Sequence, residues 1–257
     1  MNNNTILTIN NLNFKIADKN ILNNISLKIE KGDFISIIGP NGSGKTSFLK
    51  NCLSLYKVKP NTIFINGKDL VSYDNLELSK TIAYIPQDTI IDYNLSVEEI
   101  VLMGRIPYLD FFEDYSNKDY EIAKKAMIDM NIYHLKDSNI MNLSGGERQK
   151  VFIAKALCQQ AELIFLDEPV SELDISNQLN TMELLNTLNK THNITIISVL
   201  HDINLALNFS KKIIILKNGN LIAFETPKNI IELNLVNSTF DINVSFLENN
   251  NKYFISF

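Results

Sequence analysis

The sequence predicts an α/β domain with a largely parallel sheet, an antiparallel ribbon at its start and a helical insertion in its middle. Short apolar runs alternate with helical patterns, as in strand–helix–strand units. The first thirty residues differ, because two runs alternate apolar with polar positions, which is typical of an antiparallel pair with one exposed face. From Asp88 to about Gln160 the strand signal disappears and helical periodicity replaces it.

The predicted elements follow one another in a clear order. The strands are ILTINNLNF and NILNNISLKI of the ribbon, then DFISIIG, KTIAYIPQ, AELIFLDE, ITIISVLH and the hairpins KKIIILKNGNLIAF and VSFLENNNKYFISF. The first of these hairpins has an Asn-Gly turn, which suits two positive φ angles. The helices include GKTSFLKNCLSLY after the third strand, SVEEIVLMG with a capping box formed by Ser96 and Glu99, and the amphipathic NKDYEIAKKAMIDMNI.

Bulk properties narrow the class of protein. The chain has 257 residues, enough for a sizeable core, and a formal net charge of -5, which disfavours a nucleic-acid partner. Its first ten residues lack the features of a signal peptide, and its apolar runs have strand length rather than membrane-spanning length. Cys52 and Cys158 lie far apart in helical patterns, so we expect buried thiols. These properties predict a soluble, cytoplasmic protein without a transition-metal site.

A phosphate-binding loop is predicted where a buried strand runs into a helix. GPNGSGKT fits G-x-x-x-x-G-K-[ST], in which backbone N–H groups wrap phosphates, the lysine reaches the terminal phosphates and the hydroxyl ligates Mg²⁺. Guanine specificity would require N-K-x-D, and NKTH at 189–192 lacks the carboxylate, so ATP is the expected nucleotide. The predicted nucleotide-binding residues here are Gly39, Pro40, Asn41, Gly42, Ser43, Gly44, Lys45, Thr46 and Ser47.

A second part of the site is predicted at LIFLDE. Its apolar residues indicate a buried strand, and Asp167 stands at the carboxyl end, where ligands gather in parallel sheets. We expect Asp167, together with Thr46, to hold Mg²⁺. Glu168 follows at once and is the candidate catalytic residue that orients or deprotonates the water attacking the γ-phosphate.

Two further polar residues end predicted strands. Gln87 closes AYIPQ, where its amide could contact both metal and water, and His201 closes ITIISVLH, where its imidazole could reach the γ-phosphate. Asp202 is expected to cap the next helix. Either residue alone would be an ordinary loop residue. Their position at carboxyl ends of strands in one sheet makes both candidate catalytic residues.

LSGGERQK predicts a second anion site. Ser144 is a good N-cap, and Gly145 and Gly146 remove side chains that would keep a ligand away from the start of the helix. A second anion site is surplus in one chain, because the glycine loop already surrounds its phosphates. It is useful if it covers the ATP that another copy holds, as in a two-fold, head-to-tail dimer.

The order of these motifs resembles the ATP-binding cassette (ABC) family across nearly the whole chain. GPNGSGKT, Gln87, LSGGERQ, LIFLDE, SELD and His201 carry the resemblance, and LSGGERQ before LIFLDE is highly specific. It implies a P-loop NTPase (RecA-like) core, an antiparallel β subdomain, a helical subdomain and an ATP-sandwich dimer. It also implies that Asp174 of SELD lies at the dimer interface. The family usually stacks adenine on an aromatic ring where this chain has Ile16, with Phe14 two residues earlier.

The resemblance also implies the domain organisation. A single ABC ATPase domain, 1–257, would combine the β subdomain and core in 1–87 and 161–225 with a helical subdomain in 88–160. A C-terminal extension with a small hairpin would occupy 226–257.

VLMGRIPYL and HDINLALNF look like the importer ATPases for iron-siderophores, heme and cobalamin. Such a subunit would lie on the inner face of the membrane, with separate permease subunits and, indirectly, an extracytoplasmic substrate-binding protein as partners. Zinc and manganese importers are close relatives and stay open as alternatives. A soluble cassette of iron–sulfur cluster assembly is a second class of function. A DNA-repair cassette is disfavoured by the acidic charge and by the absence of long heptads.

The sequence after Gln87 suggests how nucleotide binding could reach a permease. A residue that senses the γ-phosphate at the base of a movable subdomain can convert binding into rotation of that subdomain. We expect a short permease helix to dock in a groove beside it, lined by Ile91, Tyr93 and Met103, with Arg105 at the rim.

Overall fold

The computed structural model describes residues 4–87, 94–250 and 252–256. The chain forms two compact units, one of Met1–Tyr73 with Asn189–Phe257 and the other of Asp74–Leu188. We call them the first and the second unit. The subdomain boundaries expected from the sequence, such as 88–160, stay a prediction.

The secondary structure mixes strands and helices throughout. The strands are β1 (Thr5–Ile16), β2 (Lys19–Glu30), β3 (Phe34–Ile38), β4 (Ile63–Ile65), β5 (Lys68–Asp69), β6 (Ile82–Ile85), β7 (Leu163–Asp167), β8 (Thr195–Val199), β9 (Lys212–Lys217), β10 (Asn220–Glu225), β11 (Ser245–Asn249) and β12 (Lys252–Ser256). The α-helices are α1 (Lys45–Cys52), α2 (Asn75–Thr81), α3 (Val97–Leu102), α4 (Asn117–Asp129), α5 (Gly145–Cys158), α6 (Ile175–His192), α7 (Ile203–Phe209), α8 (Pro227–Glu232) and α9 (Leu235–Phe240). The predicted α/β class is confirmed.

The first unit contains the predicted antiparallel ribbon. β1 and β2 pair antiparallel, and β4 and β5 extend them into a sheet with the order β2-β1-β4-β5. On β2 the residues Ile25, Leu27 and Ile29 are buried while their neighbours are exposed. The alternation follows from the period of two along a strand, which sends successive side chains to opposite faces.

The first unit also contains four strands of a mostly parallel sheet, in the order β10-β9-β3-β8. β3 pairs parallel with both β8 and β9, and every residue of β3 and β8 is buried. β10 returns antiparallel to β9 through the predicted Asn-Gly turn, where Asn218 and Gly219 have φ angles of 51° and 77°. Two positive φ angles match the right-handed twist of a hairpin, so the predicted turn is confirmed.

The C-terminal hairpin is fastened to α7 by side-chain amides. Asn208 accepts from the Tyr253 N–H at 2.8 Å and donates to the Tyr253 carbonyl oxygen at 2.7 Å. One turn earlier, Asn204 accepts from the Ile255 N–H at 2.9 Å. Residues four apart lie on one face of a helix, so α7 offers β12 a row of hydrogen-bonding groups.

The second unit combines a strand pair with helices. β6 and β7 pair parallel, and every residue of β7 is buried. Three helices begin with capping boxes, in which a serine hydroxyl accepts from the backbone N–H of an acidic residue three positions on, whose side chain returns to the serine N–H. The pairs are Ser96–Glu99, Ser116–Asp119 and Ser144–Glu147. The first of them confirms the box predicted from the sequence.

Arg105 holds several segments of the second unit together. The residue is 4% exposed, and its Nε donates to Asp119 Oδ1 at 2.8 Å. Its Nη1 donates to the Cys158 carbonyl oxygen and to Gln160 Oε1, both at 3.0 Å. The guanidinium also lies 3.8 Å from the centre of the Tyr108 ring. The predicted position of Arg105 at the rim of a docking groove is therefore wrong, because its donors are engaged inside the unit.

The three apolar residues predicted to line that groove do not test the prediction as directly as Arg105 does. Ile91 and Tyr93 lie outside the described residues, and Met103 is partly buried. Hydrogen bonds from the Ser116 hydroxyl and then from Arg105 hold the pKa of Asp119, the ion-pair partner of Arg105, below its usual value.

Replacing Arg105 by alanine should therefore destabilise the fold. Removing one partner of a buried ion pair leaves an uncompensated charge at Asp119, which typically costs about 3–5 kcal/mol. The matched control is Lys136→Ala, because Lys136 and its partner Asp137 form a solvent-accessible ion pair, and such pairs contribute little to stability. Denaturant unfolding of both variants tests this. Equal stability of the two variants would contradict the role given to Arg105.

Candidate nucleotide-binding site

The glycine loop, residues 39–46, links buried β3 to α1. Gly39 and Gly44 have φ angles of 155° and 101°, which other residues rarely adopt. A Cβ at Gly39 would collide with the Leu216 carbonyl oxygen, and one at Gly44 would crowd Leu22. The loop therefore curls tightly against β2 and β9, which only glycine allows at these two positions.

Lys45 lies inside this curl. Its Nζ donates to the Gly39 and Pro40 carbonyl oxygens at 2.8 and 3.2 Å, and the residue is buried. Ser43 Oγ is also buried and has no hydrogen-bond partner among the described residues. A fixed ammonium, a buried hydroxyl and the N-terminus of α1 form a cradle suited to phosphate oxygens. Thr46 and Ser47 are half-buried in the first turn of α1.

In the second unit, Asp167 and Glu168 lie at the end of β7, where each contacts a polar side chain. Asp167 is buried and accepts a hydrogen bond from Tyr84 of β6. Burial, then the charge of Asp167, then this hydrogen bond raise the pKa of Tyr84 to about 12. Tyr84 therefore stays a neutral donor. Tyr84 was not identified from the sequence, because it lies within a predicted strand and nothing in its spacing indicates a contact with Asp167.

Gln87 and Glu168 are brought together as a pair. Gln87 Nε2 donates to Glu168 Oε2 at 2.7 Å, and Glu168 has a φ of 53°, in the left-handed region. A positive φ costs a glutamate free energy. Backbone strain of this kind is typical of residues at functional sites. Asp167 and Gln87 carry oxygen donors of the kind that Mg²⁺ prefers, so their chemistry fits this ion. The hydroxyl of Thr46, in the first unit, is of the same kind.

Ser144 begins α5 in a complete capping box. Glu147 Oε2 accepts from the Ser144 N–H at 2.9 Å and from its hydroxyl at 2.6 Å. Both bonds hold the pKa of Glu147 below its usual value, and the bond from the hydroxyl has the larger effect. Gly145 is exposed, whereas Gly146 is buried and a Cβ there would lie 3.2 Å from Asn177 Cγ. The missing side chain of Gly146 thus makes room for Asn177. The expected role of both glycines toward a ligand stays a prediction.

Asn177 also contacts Asp174, so it joins two predicted site segments. Asp174 caps α6, accepting from the Asn177 N–H at 2.9 Å and from Asn177 Nδ2 at 2.7 Å. Both bonds hold the pKa of Asp174 below its usual value. Asn177 was missed in the sequence. The pattern Asp-x-x-Asn is a recognisable cap, although its second contact, with Gly146, is not visible from spacing.

The remaining predicted residues lie in the first unit. His201 is exposed between β8 and α7, and Asp202 caps α7 as expected, accepting from the Leu205 N–H at 3.1 Å. Ile16 ends β1 and is 49% exposed. Phe14 instead stacks on Tyr56, with ring centres 4.5 Å apart. Ile16 therefore offers an exposed aliphatic surface, and the aromatic ring nearest to it in sequence is already engaged.

Within the described part of the chain, no helix combines the length and the apolar character needed to cross a membrane. The chain is similar to curated proteins over most of its length. It is 38% identical to an uncharacterized ABC transporter ATP-binding protein of Methanocaldococcus jannaschii, covering 95% of this chain and 94% of that protein. It is 32% identical to the ferric enterobactin transport ATP-binding protein FepC of Escherichia coli, covering 89% and 84%. Identity to the iron(3+)-hydroxamate import ATP-binding protein FhuC of Bacillus subtilis is 33%, covering 94% and 90%.

Solved structures share the fold. A presumed metal-chelate type ABC transporter in an inward-facing conformation matches with a TM-score of 0.85 and 28% identity, covering 98% of this chain and 96% of that one. A dimeric ATP-binding cassette bound to ADP and Pi matches with a TM-score of 0.73 and 28% identity, covering 86% and 99%. The profile of the ABC transporter family matches residues 22–171. The resemblance seen in the motifs is thus confirmed, and this chain belongs to the ABC transporter family as one of its ATP-hydrolysing subunits.

Proposed function

We propose that this chain powers import of an iron-siderophore, heme or cobalamin by hydrolysing ATP on the inner face of the membrane. Two copies would bind two ATP head to tail and act on a separate permease, which an extracytoplasmic binding protein supplies with cargo. The observation that carries the catalytic part is the Gln87–Glu168 hydrogen bond at the end of β7. It holds a carboxylate in a strained backbone position beside Asp167.

The glycine loop would hold the phosphates through its backbone N–H groups and Lys45. Thr46, Gln87 and Asp167 would hold Mg²⁺, which supplies neutralisation of charge on the phosphate oxygens. Glu168 would accept a hydrogen bond from the attacking water and take its proton, while Gln87 fixes the direction of its carboxylate. His201 would donate to the γ-phosphate.

The start of α5 supports a dimer. Its backbone N–H groups and the Ser144 hydroxyl form an anion site beside a helix dipole. In the isolated chain this hydroxyl donates to Glu147 of its own helix. A head-to-tail dimer gives this site a nucleotide, and one similar solved cassette is a dimer with ADP and Pi. Asp174 would then lie at the interface. Adenine would rest against Ile16.

The cargo class is supported by two relatives, the ATP-binding proteins of ferric enterobactin transport and of iron(3+)-hydroxamate import. Uptake of radiolabelled ferric siderophore, heme and cobalamin by a strain lacking this chain tests it. Loss of one of these uptakes, restored by the wild-type chain, is the expected result. Loss of zinc or manganese uptake would favour the alternative importers, and a defect in iron–sulfur enzymes alone would favour cluster assembly.

Glu168→Gln should leave ATP binding intact while slowing turnover by about 10²–10⁴-fold, the usual effect of removing a positioned acid–base group. The amide keeps an oxygen that can accept from Gln87, so the local hydrogen bond survives. In the presence of ATP, this variant should then accumulate as a dimer, which size-exclusion chromatography would detect. A monomer at saturating ATP, or turnover close to wild type, would contradict the assignment.

Mixing two inactive variants tests whether the site is shared. Lys45→Ala should lose nucleotide affinity, whereas Ser144→Arg should keep it and lose hydrolysis. A heterodimer has one site formed by the loop of the second variant and the Ser144 of the first, free of both changes. Partial recovery of ATPase activity is expected. Loss of ATP binding by the isolated Ser144→Arg monomer would disprove the cross-chain site.

Asn177→Ala should lower turnover without lowering ATP affinity of the isolated monomer. The change removes the side chain that connects Asp174 with the start of α5, and both are proposed to face the partner's nucleotide. Asn180→Ala is the control, since Asn180 is exposed one turn along the same helix. ATPase assays and nucleotide titration separate the two effects. Equal turnover of both variants would show that Asn177 has no part in the reaction.

A further inference from the structure

Two adjacent phenylalanines stand out on the surface of the second unit. Phe111 and Phe112 are 92% and 96% exposed, and their rings meet edge to face with centres 4.7 Å apart. Phenylalanine side chains carry on the order of 150–250 Å² each, so the pair presents one continuous apolar patch. Single exposed apolar residues are common, but a clustered patch on a soluble subunit marks an interaction site.

The backbone at this patch is strained. Phe112 has a φ of 71°, a conformation that is unfavourable for a bulky residue. Neighbouring hydrogen bonds maintain it, since the Asp110 N–H donates to Glu113 Oε2 at 2.9 Å and the Glu113 N–H donates to the Asp110 carbonyl oxygen at 3.0 Å. Exposure of the two rings and the positive φ of Phe112 both cost free energy. We call residues 110–114 the aromatic loop.

The aromatic loop stands on a fixed base. On its N-terminal side, the buried Arg105 binds Asp119 and the end of α5, and the Tyr108 hydroxyl donates to the Gln159 carbonyl oxygen at 2.9 Å. On its C-terminal side, Ser116 caps α4. The loop is thus presented in a set conformation, which lowers the entropy lost when a partner binds.

Charge identifies the kind of partner. Asp110, Glu113 and Asp114 flank the two phenylalanines in the sequence, and all three are exposed. The cytoplasmic leaflet is anionic and would repel them, so insertion into lipid is disfavoured. Cytoplasmic loops of membrane proteins carry an excess of lysine and arginine and would attract them. We propose that the aromatic loop docks into an apolar pocket with a basic rim on a cytoplasmic loop of the permease, an inference that rests on the proposed importer function.

The test uses the permease proposed to act with this chain, reconstituted in nanodiscs. The variant combines Phe111→Ser with Phe112→Asn, because asparagine tolerates the positive φ and keeps the loop folded. Loss of a central aromatic anchor should weaken binding by roughly 30-fold or more and abolish permease-stimulated ATPase, with basal ATPase unchanged. Ile128→Ser, which alters a 53% exposed residue of α4, is the matched control and should bind as wild type does.

Asp114→Lys should weaken binding and reduce its dependence on salt, since it removes one attractive charge and leaves the Asp110–Glu113 bonds intact. Equal binding by wild type and the double variant would overturn the proposal alone. Failure of wild type to bind the nanodiscs would overturn the importer function with it.

Two other occupants are tested in parallel. Binding to vesicles containing phosphatidylserine that depends on the two phenylalanines would assign the loop to lipid. Loss of the ATP-dependent dimer when the double variant is combined with Glu168→Gln would assign it to a second copy. Either result overturns the permease proposal.

Discussion

In β3, β7 and β8 every residue is buried, so a polar group that has to meet a ligand is confined to the point where the strand ends. The backbone N–H and C=O groups of these strands are used up in pairing, and their faces are covered by apolar side chains. The glycine loop, Asp167 with Glu168, and His201 all follow directly from this constraint. Each occurs at or just after the carboxyl end of a buried strand, and none could move inward without burying an unsatisfied polar group.

The same constraint explains what could be read from the sequence. A buried strand followed by glycines or acids is a local pattern, and local patterns determine local backbone. The loop at 39–46, the capping box at Ser96, the cap at Asp202 and the Asn218–Gly219 turn were all predicted for this reason. The roles assigned to the site residues follow from chemistry and resemblance, and they stay proposals.

Contacts between residues far apart in the sequence could not be predicted from it. Arg105 was expected at the rim of a docking groove, and nothing in its neighbouring residues indicates a buried ion pair. Its partners are Asp119, Cys158 and Gln160, which are brought to it only by the packing of α4 and α5. Asn177 and Tyr84 were overlooked for the same reason. Their contacts with Gly146 and Asp167 connect segments whose separation in the sequence carries no signal of contact.

The asparagines of α7 have a consequence for the C-terminal hairpin. An isolated two-stranded sheet has two open edges, and each can recruit a strand from another molecule. Asn204 and Asn208 bind the backbone of Tyr253 and Ile255 as a neighbouring strand would. A foreign strand that approached this edge of β12 would find these groups already bonded. The amides of one short helix therefore protect this edge of the chain from aggregation, without the addition of another strand.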